Sequence, residues 1–237
     1  MVPRVLWARP YVGRAFRFQG MTDQQLERVD RTYRRIGRRW AWNIVSFAGF
    51  LGWEPVLRRR TVERLELKQG EAVLDVACGR GSNFRYLQRA VGETGRIVGI
   101  DYSAAMLAGA EELVRKRAWV NVELVQGDAA AMQYEGEFDA ALCTIALSVI
   151  PSWRETLRGM VAAVRPGGHI AVTDGRLGTG IRSLQNSYGR LFASIVAADP
   201  DRDIRGEYRK LIADAREETL MFGSYYILSG RARSPTE

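Results

Sequence analysis

An α/β fold, built on a mostly parallel sheet with helices on both faces, follows from three observations in the sequence. The stretch from Val73 to Asn83 (VLDVACGRGSN) reads as a buried strand running straight into a glycine turn and a helix start. A second apolar run, Gly95 to Asp101, ends in an acid twenty residues beyond Gly81. From there to Asp174, strand-length apolar runs alternate with helical patterns, the order of a chain that crosses over between parallel strands.

A linking helix is expected near Thr61 to Leu67, and the first strand over 72 to 77. Its helix runs from about Ser82 to Gly92, a residue suited to a C-cap. The second strand is 96 to 101, and Ser103 stands where it can cap the helix carrying Met106, Leu107 and Leu113. The third is 121 to 126, followed by Gly127, Asp128 and Ala129. The fourth, Phe138 to Thr144, leads to the loop 145 to 153, where Ser152 and Glu155 have the spacing of a capping box. The next helix is expected to end at Arg165, Pro166, Gly167 and Gly168, since proline stops a helix and glycines reverse the chain. His169 to Asp174 is the fifth strand. Residues 180 to 198 and 203 to 214 look helical, and Glu218 to Ser229 reads as two strands meeting at Gly223 and Ser224, a hairpin turn. The tail beyond Ser229, with Arg231, Arg233 and Pro235, is expected to be disordered.

The strand, glycine turn, helix, strand, acid order is that of a Rossmann-like half. Gly79 and Gly81 let the chain turn tightly and a ligand approach the backbone, while Asp101 offers a carboxylate to the two hydroxyls of a ribose. A dinucleotide fingerprint wants a third glycine three residues after Gly81, where Phe84 stands. Asp75, inside the first strand, would repel a pyrophosphate and attract a cation.

Charge is unevenly spread. Residues 1 to 60 hold 13 Arg and 4 Asp or Glu, a balance of +9, against a total of +8 for all 237 residues, so the remainder is at −1. Only Lys68, Lys116 and Lys210 are lysines, a bias that points to coding composition before chemistry. A basic end on a neutral body suggests docking on an anionic surface; a merely solvated extension is the plainer alternative. An amphipathic basic helix is expected from Thr22, with Leu26, Val29, Tyr33 and Ile36 on one face. Trp40 to Trp53 then gives fourteen uncharged residues with three of the six tryptophans, flanked by arginines. At about 20 residues for a span, it is too short to cross a bilayer. An interfacial segment and a lid over the protein's own cleft both fit, and they are compatible.

Cys78 and Cys143 are the only cysteines, which excludes a disulfide framework and suggests a reducing cytoplasm. The first twenty residues are interrupted by Arg4, Arg9, Arg14 and Arg17 and carry no export signal; Met21 is an alternative start. His169, the one histidine, begins a buried strand and reads as structural, and no metal-ligand cluster has usable spacing. No RNA-binding module is visible, which leaves an RNA-binding or noncatalytic cofactor-binding protein as the weaker alternatives to an enzyme.

The stretch from about Val62 to Leu228 resembles the class I S-adenosylmethionine-dependent methyltransferases, on four separated motifs: the glycine turn with Asp75, Asp101, Gly127 to Ala129, and Val164 to Gly168. The resemblance implies a Rossmann-like, seven-stranded, mostly parallel sheet with an antiparallel C-terminal hairpin and extra N-terminal helices. It implies S-adenosyl-L-methionine as cofactor, held by Asp75, Ala77, Gly79, Gly81, Asp101, Tyr102, Met106, Asp128, Ala129 and Thr144. In that pattern Asp75 serves the amino-acid end, Asp101 the ribose and Asp128 the adenine amino group. The expected organisation is a basic tail over 1 to 21, amphipathic and lid helices over 22 to 60, the catalytic domain over 61 to 230, and a tail over 231 to 237.

Within that class, the N-terminal helices and Ala146 to Trp153 look most like bacterial phospholipid N-methyltransferases, with the ubiquinone and menaquinone ring methyltransferases as relatives. A Tyr-Asp pair common in these relatives is replaced by Val29 and Asp30, with Tyr33 one turn later. The acceptor implied is lipophilic: first a phospholipid or lipid amine headgroup, alternatively a quinone or small natural product methylated on carbon or oxygen. The expected setting is the cytoplasm, at the inner face of an anionic membrane, with no strong nucleic-acid signal. Methyl transfer needs positioning and water exclusion, with nucleophile and methyl about 3–3.5 Å apart, so no triad is required. Tyr33, Ser148 and Tyr225, with Tyr226, are the candidates to handle the acceptor's proton.

Overall fold

The computed structural model describes residues 31–32, 34, 52–177 and 186–233. The basic tail, Tyr33, most of the amphipathic helix and the tryptophan-rich stretch before Gly52 lie outside the described residues.

Seven strands form one sheet: β1 (Ala72–Val76), β2 (Arg96–Asp101), β3 (Val122–Gln126), β4 (Phe138–Thr144), β5 (Val164–Gly175), β6 (Ile212–Leu220) and β7 (Tyr225–Ala232). Their order is β3-β2-β1-β4-β5-β7-β6. The first five run parallel, and β7 is antiparallel to both β5 and β6. The helices among the described residues are α1 (Glu54–Glu63), α2 (Phe84–Val91), α3 (Ala104–Arg117), α4 (Trp153–Ala163), α5 (Asn186–Ile195) and α6 (Ile204–Leu211). None is long and apolar enough to cross a membrane.

Alternation along β1 shows why the strands read as continuous apolar runs. Val73 packs with Phe84, Leu87 and Val91 of α2 and with Leu107, Ala110 and Val114 of α3. Leu74 and Val76 face the other way, onto Trp153, Leu157 and Met160 of α4 and Tyr208 of α6. With both faces covered, each buried aliphatic side chain contributes about 1.5–3 kcal/mol. The chain runs outward from β1 to β3, then returns to place β4 on the other side of β1. That reversal opens a crevice at the carboxyl ends of β1 and β4, where such sheets bind ligands.

Several boundaries differ from expectation, each for a physical reason. The linking helix begins at Glu54, seven residues before Thr61, and ends at Glu63; Pro55 sits in its first turn and an ion pair at 2.8 Å joins Glu54 to Arg58. Val164 to Gly168 forms a bulge in β5 in place of a separate turn, because Phe138 pairs with Val164 and Ala140 with His169. Ser152 stands at the N-cap of α4 without a side-chain cap bond, so the capping box does not form. Ser103 at the head of α3 makes none either, and its buried hydroxyl has no partner.

The C-terminal hairpin is longer than expected. Helix α6 stops at Leu211, β6 starts at Ile212, and β7 continues through Arg231, which pairs with His169 and Ala213. Residues beyond Ser229 are therefore strand as far as Ala232. The strand pattern of β6 was hidden by charges that suit an edge. Glu218 pairs with Arg60 and Arg64 of α1, while Glu217 pairs with Arg176, Arg205 and Arg209.

Candidate functional site

The crevice has two ends. At the first, β1 carries Asp75 to a fully buried position, where Asn83 Nδ2 donates to both carboxylate oxygens at 2.9 and 3.1 Å. Asn83 Nδ2 also lies 3.0 Å from Thr144 Oγ1 at the end of β4. From α1, Arg58 Nη1 donates to Asn83 Oδ1 at 3.1 Å and to Thr144 Oγ1 at 2.6 Å. Four elements thus meet around one carboxyl group. Burial pushes Asp75 up to about 7, while the Asn83 bonds and the Arg58 charge pull against that rise.

Asp101 closes the glycine turn from β2: Oδ2 accepts the Gly79 N–H at 2.8 Å and Oδ1 the Ser103 N–H at 2.9 Å. Burial pushes its carboxyl up to about 6. Gly79 and Gly81 take φ of +57° and +77°, which glycine adopts without strain. A Cβ at Gly79 would meet nothing within 4 Å, so the backbone there faces open space. At Gly81 and at Gly99 of β2 a Cβ would approach the Phe84 ring to 2.6 and 2.8 Å. Phe84, fully buried, therefore fills the place where a third glycine would have let helix and sheet close up, and Gly99 supplies the clearance from the strand.

The other residues that the resemblance assigns to the cofactor gather at the same end. Ala77 adopts φ +54° just after β1, Tyr102 is 40% exposed just after β2, and Met106 is buried in the first turn of α3. Asp128 caps a 3-10 turn over Ala129–Ala131 through a 2.9 Å bond from the Ala130 N–H. An open backbone cradle, two strand-end carboxylates and a buried carboxyl that lacks a full cationic counterpart suit a nucleoside carrying a positive charge. They would not suit a pyrophosphate.

The second end begins one residue beyond Thr144. A pocket of about 170 Å³ is lined by Ile145, Ser148 and Val149 after β4, Asp174 at the end of β5, Phe192 of α5 and Tyr225 of β7, among others. Asp174 is 2% exposed and accepts three bonds: Ser148 N–H at 2.8 Å, Ser148 Oγ–H at 2.7 Å and Gly175 N–H at 2.8 Å. Burial raises its carboxyl above the ordinary range. Tyr225, raised first by burial and then by the Asp174 charge, faces this pocket. Tyr226 points to the opposite face of β7, into the core beneath α6, and does not line it. Arg202 pins the loop by donating to the carbonyls of Leu147, at 2.6 Å, and Ile150.

The structure thus brings together the cofactor candidates at one end and Ser148 and Tyr225 at the other, while Tyr33 falls outside the described residues. Sequence reasoning passed over Arg58, Asn83 and Asp174. Asp174 had a usable signal, an acid at the carboxyl end of an expected strand, the same signal that marked Asp101. Among the described residues no group of His, Cys, Asp or Glu could hold a metal ion. His169 stands 3.8 Å from Glu66, and burial lowers its pKa. Both cysteines are buried free thiols whose pKa burial raises.

Residues 73–168 match the family model described as a methyltransferase domain. A demethylmenaquinone methyltransferase of Anoxybacillus flavithermus is 30% identical over 206 residues, 83% of each chain. One of Oceanobacillus iheyensis is 32% identical over 154 residues, 64% of this chain and 63% of that one. Among solved structures, phosphoethanolamine N-methyltransferase 2 of Haemonchus contortus, in complex with phosphomonomethylethanolamine and S-adenosylhomocysteine, is similar with a TM-score of 0.71 at 16% identity, over 87% of this chain and 60% of that one. That likeness shows the fold. The relative that matches along most of its length, with the family model, shows the chain to be an enzyme with S-adenosylmethionine as cofactor: the protein belongs to the S-adenosylmethionine-dependent methyltransferases.

Proposed function

We propose that the enzyme methylates a ring carbon of a lipophilic quinol seated in the Asp174 pocket. The observation that carries this reading is one buried carboxylate in a pocket otherwise lined mainly by apolar and aromatic side chains, directly beside the cofactor end. The named activity of the relatives supports it. Asp101 engages the ribose hydroxyls, Asp128 the adenine amino group, and Asp75 the cationic amino group, with Asn83 and Arg58 fixing its direction. The glycine turn from Ala77 to Gly81, with Tyr102, Met106, Ala129 and Thr144, shapes the remaining walls. When bound, the cofactor supplies an electrophilic methyl group on a sulfonium.

Asp174 accepts the proton from a ring hydroxyl, which places electron density on the adjacent ring carbon where the new carbon–carbon bond forms. Loss of the proton from that carbon restores the aromatic ring, and Asp174 returns its own proton to the ring oxygen, so one methyl replaces one proton overall. Ser148 keeps the carboxylate oriented, and Tyr225 with Phe192 excludes water from the pocket.

A second reading, methylation of a lipid amine, is favoured by the +9 balance of residues 1 to 60, which suits phosphate headgroups. It uses the same Asp174 to take the ammonium proton. Incubation with methyl-labelled S-adenosylmethionine, offering reduced demethylmenaquinone and phosphatidylethanolamine in the same micelles, separates the two. Label is expected in the quinol; label in the phospholipid headgroup alone overturns the first reading for the second.

A further inference from the structure

We infer that a basic cleft on the outer side of the glycine turn, remote from the acceptor pocket, binds the phosphate of an anionic lipid headgroup. The cleft, of about 420 Å³, is lined by Arg58, Arg80, Arg85, Lys116 and Arg117 against only Glu54 and Glu112. Glu54 is already engaged by Arg58 at 2.8 Å. Arg85, Lys116 and Arg117 are then set against Glu112, with Arg80 beside them, on a body that from residue 61 onward has a balance of −1. The concentration is local, as recognition of an oxyanion requires.

Helix α3 shows that the cleft is built. Lys116 and Arg117 alone would be explained by the helix dipole, which favours cations in a last turn. The dipole does not account for Gly109 in the middle of the same helix, where alanine would be favoured. A Cβ at Gly109 would lie 2.4 Å from Arg80 Cζ and 2.5 Å from its Nη1. The glycine therefore clears a seat that holds the Arg80 guanidinium against α3, in the cleft wall. Arg85 stacks on the neighbouring Tyr86 ring, with its carbon Cζ 4.5 Å from the centroid, and together with Lys116 and Arg117 it has no carboxylate partner among the described residues.

A membrane is the source of the phosphate that fits best. The cleft is bounded by Glu54 and Pro55, which follow directly on the arginine and tryptophan stretch in the sequence. Its volume suits a single headgroup, whereas a nucleic acid would be tracked by a longer stripe of charge. This inference concerns attachment and stands whether the acceptor is a quinol or an amine.

Flotation of the full chain with vesicles of phosphatidylcholine, with or without phosphatidylglycerol, tests it. The unaltered protein is expected to float with the anionic vesicles and to be released as salt rises. The triple variant Arg85→Gln, Lys116→Gln, Arg117→Gln is expected to bind them about 100-fold more weakly, since each cation near such a surface is worth roughly a factor of five. Gly109→Ala keeps every charge and favours the helix, yet displaces the Arg80 guanidinium; it is expected to weaken flotation several-fold with no fall in thermal midpoint. Methyl transfer to a detergent-dispersed acceptor is expected to survive in both, so failure here is distinct from failure of the proposed acceptor. Flotation of the triple variant at the level of the unaltered protein overturns the site. So does a cleft-dependent affinity for inorganic phosphate or an RNA oligonucleotide that leaves flotation untouched.

Discussion

Asp101 at the end of β2 and Asp174 at the end of β5 are both strand-terminal carboxylates held by backbone N–H groups, but their surroundings make them different reagents. Asp101 spends one bond from each oxygen on Gly79 and Ser103 beside a backbone cradle open to a polar ligand. Asp174 is enclosed, accepts a hydroxyl as well as two N–H groups, and looks into an apolar pocket. In the proposed function one end of the crevice holds the nucleoside and the other moves a proton. Their separation suggests that binding and turnover can be broken independently.

The largest effect expected is on turnover. Asp174→Asn keeps the size of the side chain and removes its basicity, so kcat is expected to fall about 100- to 10,000-fold, the range for losing a general base. Cofactor affinity measured by calorimetry is expected to stay unchanged. A parallel loss of cofactor binding would show that the two ends are one site and that Asp174 acts through the fold.

The same contrast explains what the sequence made legible. Most of the cofactor end, Thr144 and Arg58 apart, lies on one continuous stretch from Asp75 to Ala129, where strand, turn and acid follow at short spacing and local patterning suffices. Even there Asn83 and Arg58 escaped, because their meaning arises only when α1 folds back over the sheet and brings residues 25 positions apart to 3.1 Å. The acceptor end is assembled from the loop after β4, the end of β5, helix α5 and the β6–β7 turn, and no spacing encodes that convergence. The hairpin was visible as a pair of strands, but edge charges at Glu217 and Glu218 hid the first half of β6. The proline and glycines at 166 to 168 signalled a chain reversal and produced a bulge, since β4 still offered them a pairing partner.

The second expected effect concerns pH and sharpens the cofactor end. In the cofactor-free fold Asp75 sits at about 7 and Asp101 at about 6, against 3.8 for an ordinary aspartate. A raised acid binds its proton more tightly when folded, so its contribution to stability is fullest below about pH 4 and is lost as pH rises toward 6 and 7. The thermal midpoint of the cofactor-free protein is expected to fall across that window. A cationic amino group beside Asp75 lowers its pKa, so binding expels up to one proton and affinity climbs by up to about tenfold per pH unit below pH 7. Calorimetry in buffers of different ionisation enthalpy reads the proton directly. Asp75→Asn is expected to flatten the profile, and a profile already flat in the unaltered protein would remove Asp75 from the amino group.

The smallest effect expected lies at the mouth of the acceptor pocket. Phe222, in the turn between β6 and β7, is 85% exposed and adopts φ +56°. A left-handed conformation costs a residue with a side chain roughly 1–2 kcal/mol, and an aromatic ring in water gains nothing to offset it. Retaining both liabilities at the rim makes sense if the ring meets a lipophilic molecule on its way in. Phe222→Gly relieves the backbone and deletes the ring, so the thermal midpoint is expected to rise slightly. KM for a micelle-borne acceptor is expected to increase about fivefold, the equivalent of roughly 1 kcal/mol of lost contact, with kcat and cofactor affinity unchanged. A stabilised variant with an unaltered KM would assign the strain at Phe222 to the geometry of the hairpin alone and move acceptor passage to the α5 side, where Tyr188 also lines the pocket.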